Sequence, residues 1–228
     1  MVRTRTRGAC PQVLQANRAR WTMRWRRILE GRARGDWATP RAKQALKEAV
    51  IRLTHGKCVY CEGHLGAQSW TGVEHYRPKS AYPDQAFEWT NLFPVCDICN
   101  GRKGSEDHRG ALLKPDDEDP ERYFSVHPDT GRMDATLGLN ADESARAEAT
   151  IRLCDLQRTE LCDERARLFE RLSDWILLVS RGPSDDLLER GLLSYLDPRT
   201  AYKLVVRRVF ESKGLAELAA EDRRRFQE

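Results

Sequence analysis

The sequence predicts an α+β protein that is mostly α, with a small metal-stabilised core between two helical regions. Amphipathic periods near both ends of the 228 residues indicate helices, and the segment from His55 to Gly104 holds Gly, Pro and short apolar pieces instead. That segment also carries two C-x-x-C pairs. We therefore divide the chain into a basic helical arm (1–54), a metal-stabilised core with a following hairpin (55–135) and a C-terminal helical region (136–228).

The N-terminal arm begins with a turn at Cys10–Pro11 and continues as helices. One helix places a set of apolar side chains on a single face: Trp21, Trp25, Ile28 and Leu29. A second helix is predicted over about 41–54. Thr39 is suited to be its N-cap, and Pro40 to be its first residue.

Charge is unevenly distributed between the arm and the rest of the chain. Residues 1–52 hold 14 Lys and Arg against Glu30, Asp36 and Glu48, a net charge of +11, so that residues 53–228 carry −7 and the chain +4. An arginine-rich arm is typical of proteins that bind a polyanion. The other interpretation is a solvated helix face.

Four of the seven cysteines form the pairs Cys58/Cys61 and Cys96/Cys99. Two such pairs are the pattern of a tetrahedral zinc site, because each two-residue gap lets a tight turn direct both thiolates at one ion. A redox C-x-x-C is expected to occur once. We therefore predict structural Zn²⁺, and we interpret Cys10, Cys154 and Cys162 as small buried hydrophobic residues.

Beyond the core, residues 123–134 alternate around a Pro-Asp-Thr-Gly turn and indicate a hairpin, with an extended loop as the alternative. A cap near Asn140–Asp142 begins the helical region. A long amphipathic helix from about Leu161 is expected to end at Gly182–Pro183. Two shorter helices are expected over about 184–196 and 198–212. Their aromatic and leucine stripes indicate core packing rather than a ligand site.

The chain has no apolar run of about 20 residues, and its first residues are followed by no secretory-type apolar stretch. We therefore expect no membrane span, and we take the cytoplasm as the default compartment. Cysteine usage agrees, since a disulfide framework is typical of secreted chains.

The residues between and after the cysteine pairs carry a recognisable motif. Val73-Glu74-His75-Tyr76-Arg77-Pro78-Lys79 is followed by Trp89-Thr90-Asn91-Leu92, and the second pair runs into Asn100-Gly101-Arg102-Lys103-Gly104. Over roughly residues 55–106 this arrangement resembles the HNH endonucleases, whose ββα-metal fold holds one divalent ion. The resemblance implies that residues 55–135 contain a nuclease core.

The wider pattern is similar to the PtuB-like subfamily of HNH proteins. Beside Cys58-Val59-Tyr60-Cys61-Glu62 and the motif above, it includes Pro11 and a helix with Leu161 and Arg165. Members are associated with Septu anti-phage systems and some retrons. The resemblance implies a nuclease effector that works with a PtuA-like ATPase partner, on which the C-terminal helices would dock.

The chemistry of phosphodiester hydrolysis suits these residues. His75 is the best candidate for the base that activates water, while Glu74 and Asn100 offer hard oxygen ligands for Mg²⁺ or Mn²⁺. Neighbouring residues on a strand point to opposite faces, so a twist or bulge is expected to bring Glu74 and His75 to one cleft. By resemblance, Asn91 pins the loop between the strands. The family often has Asp and His at the positions of Glu74 and Asn100.

Four basic residues flank the predicted site and are candidates for phosphate contacts: Arg77, Lys79, Arg102 and Lys103. We expect nucleic acid as the substrate, with DNA favoured over RNA. We interpret His55, His64, His108 and His127 as structural or exposed, with His108 the first exception to consider. The alternative function is a non-catalytic, zinc-stabilised nucleic-acid-binding module in which Glu74 and His75 form a surface ion pair.

Overall fold

The computed structural model describes residues 7–66, 71–108, 110–181 and 186–227. Three features of the sequence predictions lie outside these ranges: Arg3, Arg5 and the helix end at Gly182–Pro183. Within the described ranges, no helix combines the length and apolar character needed to cross a membrane.

The N-terminal region contains α1 (Gln12–Gln15), α2 (Arg18–Leu29) and α3 (Pro40–Ile51), followed by a 3-10 turn at Arg52–Thr54. The predicted start of α3 is confirmed, because the Thr39 hydroxyl accepts a hydrogen bond from the Ala42 amide at 3.3 Å and Pro40 is the first helical residue. This cap satisfies one of the amides that the first helical turn leaves unpaired.

A two-stranded antiparallel sheet and a short helix follow. Strands β1 (Thr71–His75) and β2 (Leu92–Cys96) pair without interruption from Thr71↔Cys96 to His75↔Leu92, and α4 (Asp97–Lys103) starts immediately after β2. The continuous register contains no bulge at Glu74. Of the two predicted alternatives, a twist or a bulge, the bulge is therefore absent, and His75 is the last residue of β1 in the paired register.

The predicted hairpin is confirmed. A turn of helix, α5 (Pro120–Tyr123), leads into β3 (Phe124–Val126), which pairs antiparallel with β4 (Met133–Ala135). Gly131 lies between the strands with φ of +62°, where a Cβ atom would stand 1.9 Å from the Cys162 carbonyl oxygen. Only glycine allows the hairpin to approach the neighbouring helix so closely.

The C-terminal region is helical, as predicted: α6 (Ala141–Leu153), α7 (Thr159–Arg181), α8 (Asp186–Leu193), α9 (Lys203–Ser212) and α10 (Ala216–Gln227). Asn140 caps α6 through a reciprocal capping box with Glu143. The prediction of a helix from residue 198 was wrong by five residues. Tyr202 has a left-handed φ of +54°, and the Lys57 ammonium binds the carbonyls of Pro198 and Thr200 at 2.6 and 3.0 Å.

Among the described residues, the buried hydrophobic side chains form three clusters. One surrounds the cysteine pairs and includes Phe93, Ile151, Leu161 and Leu204, so the C-terminal helices complete the core around the cysteines. A second packs α7 against α8, α9 and α10. The third joins the N-terminal helices to β2 and the preceding loop through Leu14, Trp21, Leu46, Val50, Phe87 and Leu92. The described part of the basic arm is therefore packed onto the sheet.

Candidate functional site

The four paired cysteines converge on one point. Their sulfur atoms lie within 4.8 Å of one another, and all four residues are buried. Cys61 Sγ and Cys96 Sγ are 3.9 Å apart, close to the roughly 3.8 Å expected between sulfurs that sit about 2.3 Å from one tetrahedral ion. The amides and turns around the pairs therefore build a site that could hold a metal such as zinc.

The four thiols do not share the negative charge evenly. The Cys99 amide donates to Cys96 Sγ at 3.5 Å, and hydrogen bonds with Cys58, Cys96 and Cys99 hold the pKa of Cys61 well below its ordinary value, whereas burial raises the pKa of Cys58. Arg158, in the loop between α6 and α7, places a guanidinium nitrogen 3.7 Å from Cys99 Sγ. A cation at this distance offsets the negative charge that four thiolates bring to a divalent ion.

A separate cleft of about 390 Å³ lies at the end of β1. Glu74, His75 and Asn100 all line it, together with Lys79 and Lys103. The strand's alternation is retained. Glu74 contacts Tyr60 and Lys103, His75 packs edge-on against Phe87, and both residues line the cleft at the strand end.

His75 is a neutral imidazole with one ring nitrogen that has no partner among the described residues. Its ring has a hydrogen bond with the backbone of Ala86, while Nε2 is buried and has no protein hydrogen-bond partner among the described residues. Burial, with the charges of Lys79 and Lys103, lowers the pKa of His75 to about 3, so the imidazole is neutral at physiological pH.

Glu74 is held in a buried ion pair. Its Oε1 is 2.7 Å from the Lys103 ammonium and accepts a hydrogen bond from the Tyr60 hydroxyl at 3.2 Å. Burial raises the pKa of Glu74 above its ordinary value although Lys103 counteracts the rise. Lys103, predicted as a phosphate contact, thus has its ammonium inside the site rather than on the surface.

The cleft is lined by residue types that suit a divalent ion. They are Glu74 with its carboxylate, exposed Asn100 with its amide, and His75, whose Nε2 has no partner among the described residues; carboxylate and amide oxygens suit Mg²⁺ or Mn²⁺. The metal-ligand roles of Glu74 and Asn100 stay predictions.

Asn91 lies outside the cleft and connects two segments. Its Oδ1 accepts from the Arg77 amide at 2.7 Å, and its Nδ2 donates to the carbonyls of Arg77 and Gln85 at 3.0 and 2.9 Å. Asn91 is also buried. These bonds hold the loop that follows His75, which is the position in the fold that the resemblance implies for this residue.

Only two of the four basic residues predicted to contact phosphate line the cleft. Lys79 and Lys103 line the cleft, whereas exposed Arg77 donates to Gln85 Oε1 at 2.9 Å and Arg102 pairs with Asp155 at 3.1 Å. Arg77 lines a second cleft with His108, whose Nε2 is 2.8 Å from the Lys103 carbonyl oxygen. A structural role for His108 agrees with that contact.

Two residues of the cleft wall and one partner of Glu74 were not predicted from the sequence. Trp25 and Leu29 of α2 form part of its wall, and Trp25 Nε1 donates to the Lys79 carbonyl at 2.8 Å while its ring lies 4.6 Å from the Lys79 ammonium. Tyr60, between Cys58 and Cys61, donates to Glu74. The available signal for Trp25 and Leu29 was their place on the apolar face of α2. The sequence separation between Tyr60 and Glu74 gives no signal that the two side chains would be in contact.

The fold and the cysteine cluster together define a mostly helical α+β protein with a candidate metal site and a separate cleft lined by Glu74, His75 and Asn100. No family model matches the chain. It is similar to two proteins named Septu protein PtuB: one from Bacillus thuringiensis, 37% identical over 86 residues, and one from Bacillus mycoides, 28% identical over 158 residues.

These similarities cover part of each protein. The first takes in 37% of this chain and 34% of the relative, and the second 55% and 51%. The chain thus spans about a third of one relative's length and about half of the other's.

Proposed function

We propose that this chain is a metal-dependent endonuclease of the HNH type that hydrolyses phosphodiester bonds, with DNA favoured over RNA. The observation that carries the proposal is the meeting of Glu74, His75 and Asn100 in one cleft, where His75 Nε2 has no partner among the described residues. The order of β1, β2 and α4 along the chain supports the proposal, because two strands followed by a helix is the order expected for a ββα-metal fold.

In this proposal His75 takes the proton of the attacking water at Nε2. The Ala86 bond fixes the ring, and the neutral state of the imidazole leaves the nitrogen able to accept a proton. Glu74 and Asn100 would hold the ion. A bound Mg²⁺ or Mn²⁺ would supply positive charge for the scissile phosphate and the leaving oxygen. Lys79, positioned by Trp25, would contact a neighbouring phosphate.

Cleavage of labelled DNA and RNA by the purified protein, together with its natural partner, in Mg²⁺ or Mn²⁺ tests the reaction. His75→Ala should reduce cleavage by at least about a hundredfold, because it removes the base. His127→Ala is the matched control, since His127 is exposed on the hairpin and pairs with Asp134 at 2.7 Å. Cleavage of neither nucleic acid by the wild type, or equal cleavage by His75→Ala, would contradict the proposal.

The buried Glu74–Lys103 pair favours a second candidate, a non-catalytic nucleic-acid-binding module, because the carboxylate is neutralised without any metal. Metal analysis separates the two. One zinc per chain plus an exchangeable divalent ion that Glu74→Ala loses supports the enzyme. Zinc alone, with tight nucleic-acid binding, supports the module.

We further propose that the chain acts in anti-phage defence with a PtuA-like ATPase, as the names of the two relatives and the sequence resemblance suggest. Exposed leucines on the C-terminal helices provide an apolar surface for the partner: Leu177, Leu178, Leu187 and Leu193. Deleting the region is unsuitable as a test, because Ile151, Leu161 and Leu204 belong to the core around the cysteines.

Point substitutions test the docking surface instead. Leu178→Asp combined with Leu187→Asp should abolish co-purification with an ATPase encoded beside this chain. Leu137→Asp is the control, because Leu137 is 97% exposed and belongs to the segment after the hairpin rather than to α7 or α8. Retention of the ATPase by the double variant would exclude this surface.

A further inference from the structure

Lys103 occupies an unusual position for the last residue of an α-helix. Its side chain is 2% exposed, its ammonium is 2.7 Å from Glu74 Oε1, and the same nitrogen is 3.4 Å from the His75 carbonyl oxygen. The preceding residue of the helix, Arg102, has a 65% exposed side chain and pairs with Asp155. One of two adjacent cations is thus directed into the cleft and the other is not.

The Lys103 ammonium and a divalent ion would compete for the same partner, the carboxylate of Glu74. The carboxylate of Glu74 is buried at 3% exposure, so its negative charge is weakly screened by water and depends on a nearby cation. A divalent ion bound to this carboxylate would stand close to the ammonium, and the two positive charges would repel each other. Binding of the ion is therefore favoured when the ammonium moves away.

We propose that Lys103 is an exchangeable counter-ion of Glu74. Its ammonium neutralises the carboxylate until a divalent ion binds there, and the displaced ammonium then contacts a substrate phosphate in the same cleft. This inference rests on the metal site of the proposed function. The flexible four-carbon stem of lysine permits the movement, and Lys103 lines the cleft beside Lys79.

The exchange makes Lys103 a positioning residue that sets the metal affinity. It keeps the buried carboxylate compensated at low divalent-ion concentration, where an unpaired charge would destabilise the fold. The exchange also couples metal binding to substrate binding, because the ion that binds Glu74 releases the Lys103 ammonium, which then contacts the phosphate.

The test is direct Mn²⁺ binding to the zinc-loaded full chain, measured by titration of the free-ion EPR signal without nucleic acid. Lys103→Met removes the charge and keeps much of the stem, so it should bind Mn²⁺ at least about tenfold more tightly than the wild type. Arg102→Met removes a charge from the same helix and should change the affinity by less than about twofold. Equal affinity of Lys103→Met and the wild type would overturn the exchange.

Lys103→Gln covers the case in which Lys103→Met does not show a cooperative melting transition. It retains a donor to Glu74 without a charge and should still bind Mn²⁺ more tightly than the wild type, by about threefold or more. An unchanged or weaker affinity would again overturn the inference. Absence of a Mn²⁺ site in every variant, including the wild type, would instead refute the metal site of the proposed function.

Oligonucleotide binding in the His75→Ala background tests the phosphate contact. At saturating Mn²⁺, adding Lys103→Met should make the slope of log affinity against log salt concentration less steep, by the amount that corresponds to the loss of about one phosphate contact. An unchanged slope would show that the displaced ammonium does not contact the nucleic acid.

Discussion

The guanidinium of Arg158 lies 3.7 Å from the sulfur of Cys99, so the loop between α6 and α7 contacts the cysteine cluster. The same loop carries Asp155, which pairs with Arg102 of α4 at 3.1 Å. The C-terminal helices are thus attached to the candidate metal site through two cation contacts as well as through the shared core.

Arg158→Gln should weaken metal retention, because the substitution removes the positive charge beside the thiolates. Loss of such an outer contact commonly reduces metal affinity by about 10–100-fold. Zinc release to a chromogenic chelator measures the effect. Arg152→Gln, an exposed arginine at the end of α6, should release zinc at the wild-type rate. Equal rates for all three proteins would show that Arg158 does not act on the metal.

Gly131→Ala should destabilise the protein by more than about 3 kcal/mol. The new Cβ would meet the Cys162 carbonyl at 1.9 Å and would also occupy a φ of +62°. Gly138→Ala provides the control, since Gly138 has a φ of +89° but no atom within 4 Å of the position that a Cβ would take. Its cost should be about 1 kcal/mol, from the backbone alone. Chemical denaturation measures both, and similar losses would contradict the close approach.

Glu121 should make stability depend on acidity. It pairs with Arg207 and Arg223, each at 2.5 Å. Burial alone would raise the pKa of Glu121, but the hydrogen bonds and charges of these arginines outweigh it and lower the pKa below its ordinary value. The unfolded chain therefore takes up this proton first as pH falls. The stabilisation is fully present above about pH 4.5, which is the pKa of Glu121 in the unfolded chain. It is lost as the pH falls through the lower pKa of the folded state.

Glu121→Gln should therefore lower the stability at neutral pH and flatten the loss of stability below about pH 4.5. One proton contributes a slope of at most about 1.4 kcal/mol per pH unit. Denaturation at a series of pH values measures it, with Glu217→Gln, in the exposed first turn of α10, as the control. If the stability of Glu121→Gln falls below about pH 4.5 as steeply as that of the wild type, Glu121 does not cause this pH dependence.

Arg7 should matter for folding rather than for nucleic-acid binding. Its side chain is 9% exposed, with Nε 2.6 Å from Asp116, further donor contacts to the carbonyls of Trp89 and Leu92, and a position 4.3 Å from the Phe93 ring centre. Lysine cannot reproduce this planar set of donors. Arg7→Lys should lower the melting temperature by about 4 °C or more, whereas exposed Arg20→Lys should not. Equal melting temperatures would contradict this role.

Exposed arginines of α2 should carry the phosphate contacts expected of the basic arm. Neutralising Arg18 and Arg20 together should reduce the slope of log affinity against log salt concentration, by up to about 0.9 per lost contact on double-stranded DNA. Arg3 and Arg5 belong to the same expectation but lie outside the described residues. Binding measured at several salt concentrations tests it, and an unchanged slope would identify this face as solvated surface.

Local signals made much of the fold predictable. The Thr39–Pro40 start of α3, the Asn140 cap and the β3–β4 hairpin depend on residue types a few positions apart, and the approach of the two cysteine pairs was predicted from their spacing as ligands of one ion. The start of α9 was placed too early, because the apolar period extends back to Pro198 while the contacts of Lys57 with this segment hold it outside the helix.

The sequence by itself determined the element types, the cysteine cluster and the residues that could do chemistry, since periodicity, capping and ligand spacing act over short distances. Only the tertiary structure decided which cations face those residues. Lys103 meets Glu74, Arg158 meets Cys99 and Arg7 meets Asp116 across gaps of 29, 59 and 109 positions. Packing of distant segments chooses such partners, because a buried charge is stable only where the folded chain brings a counter-charge to it.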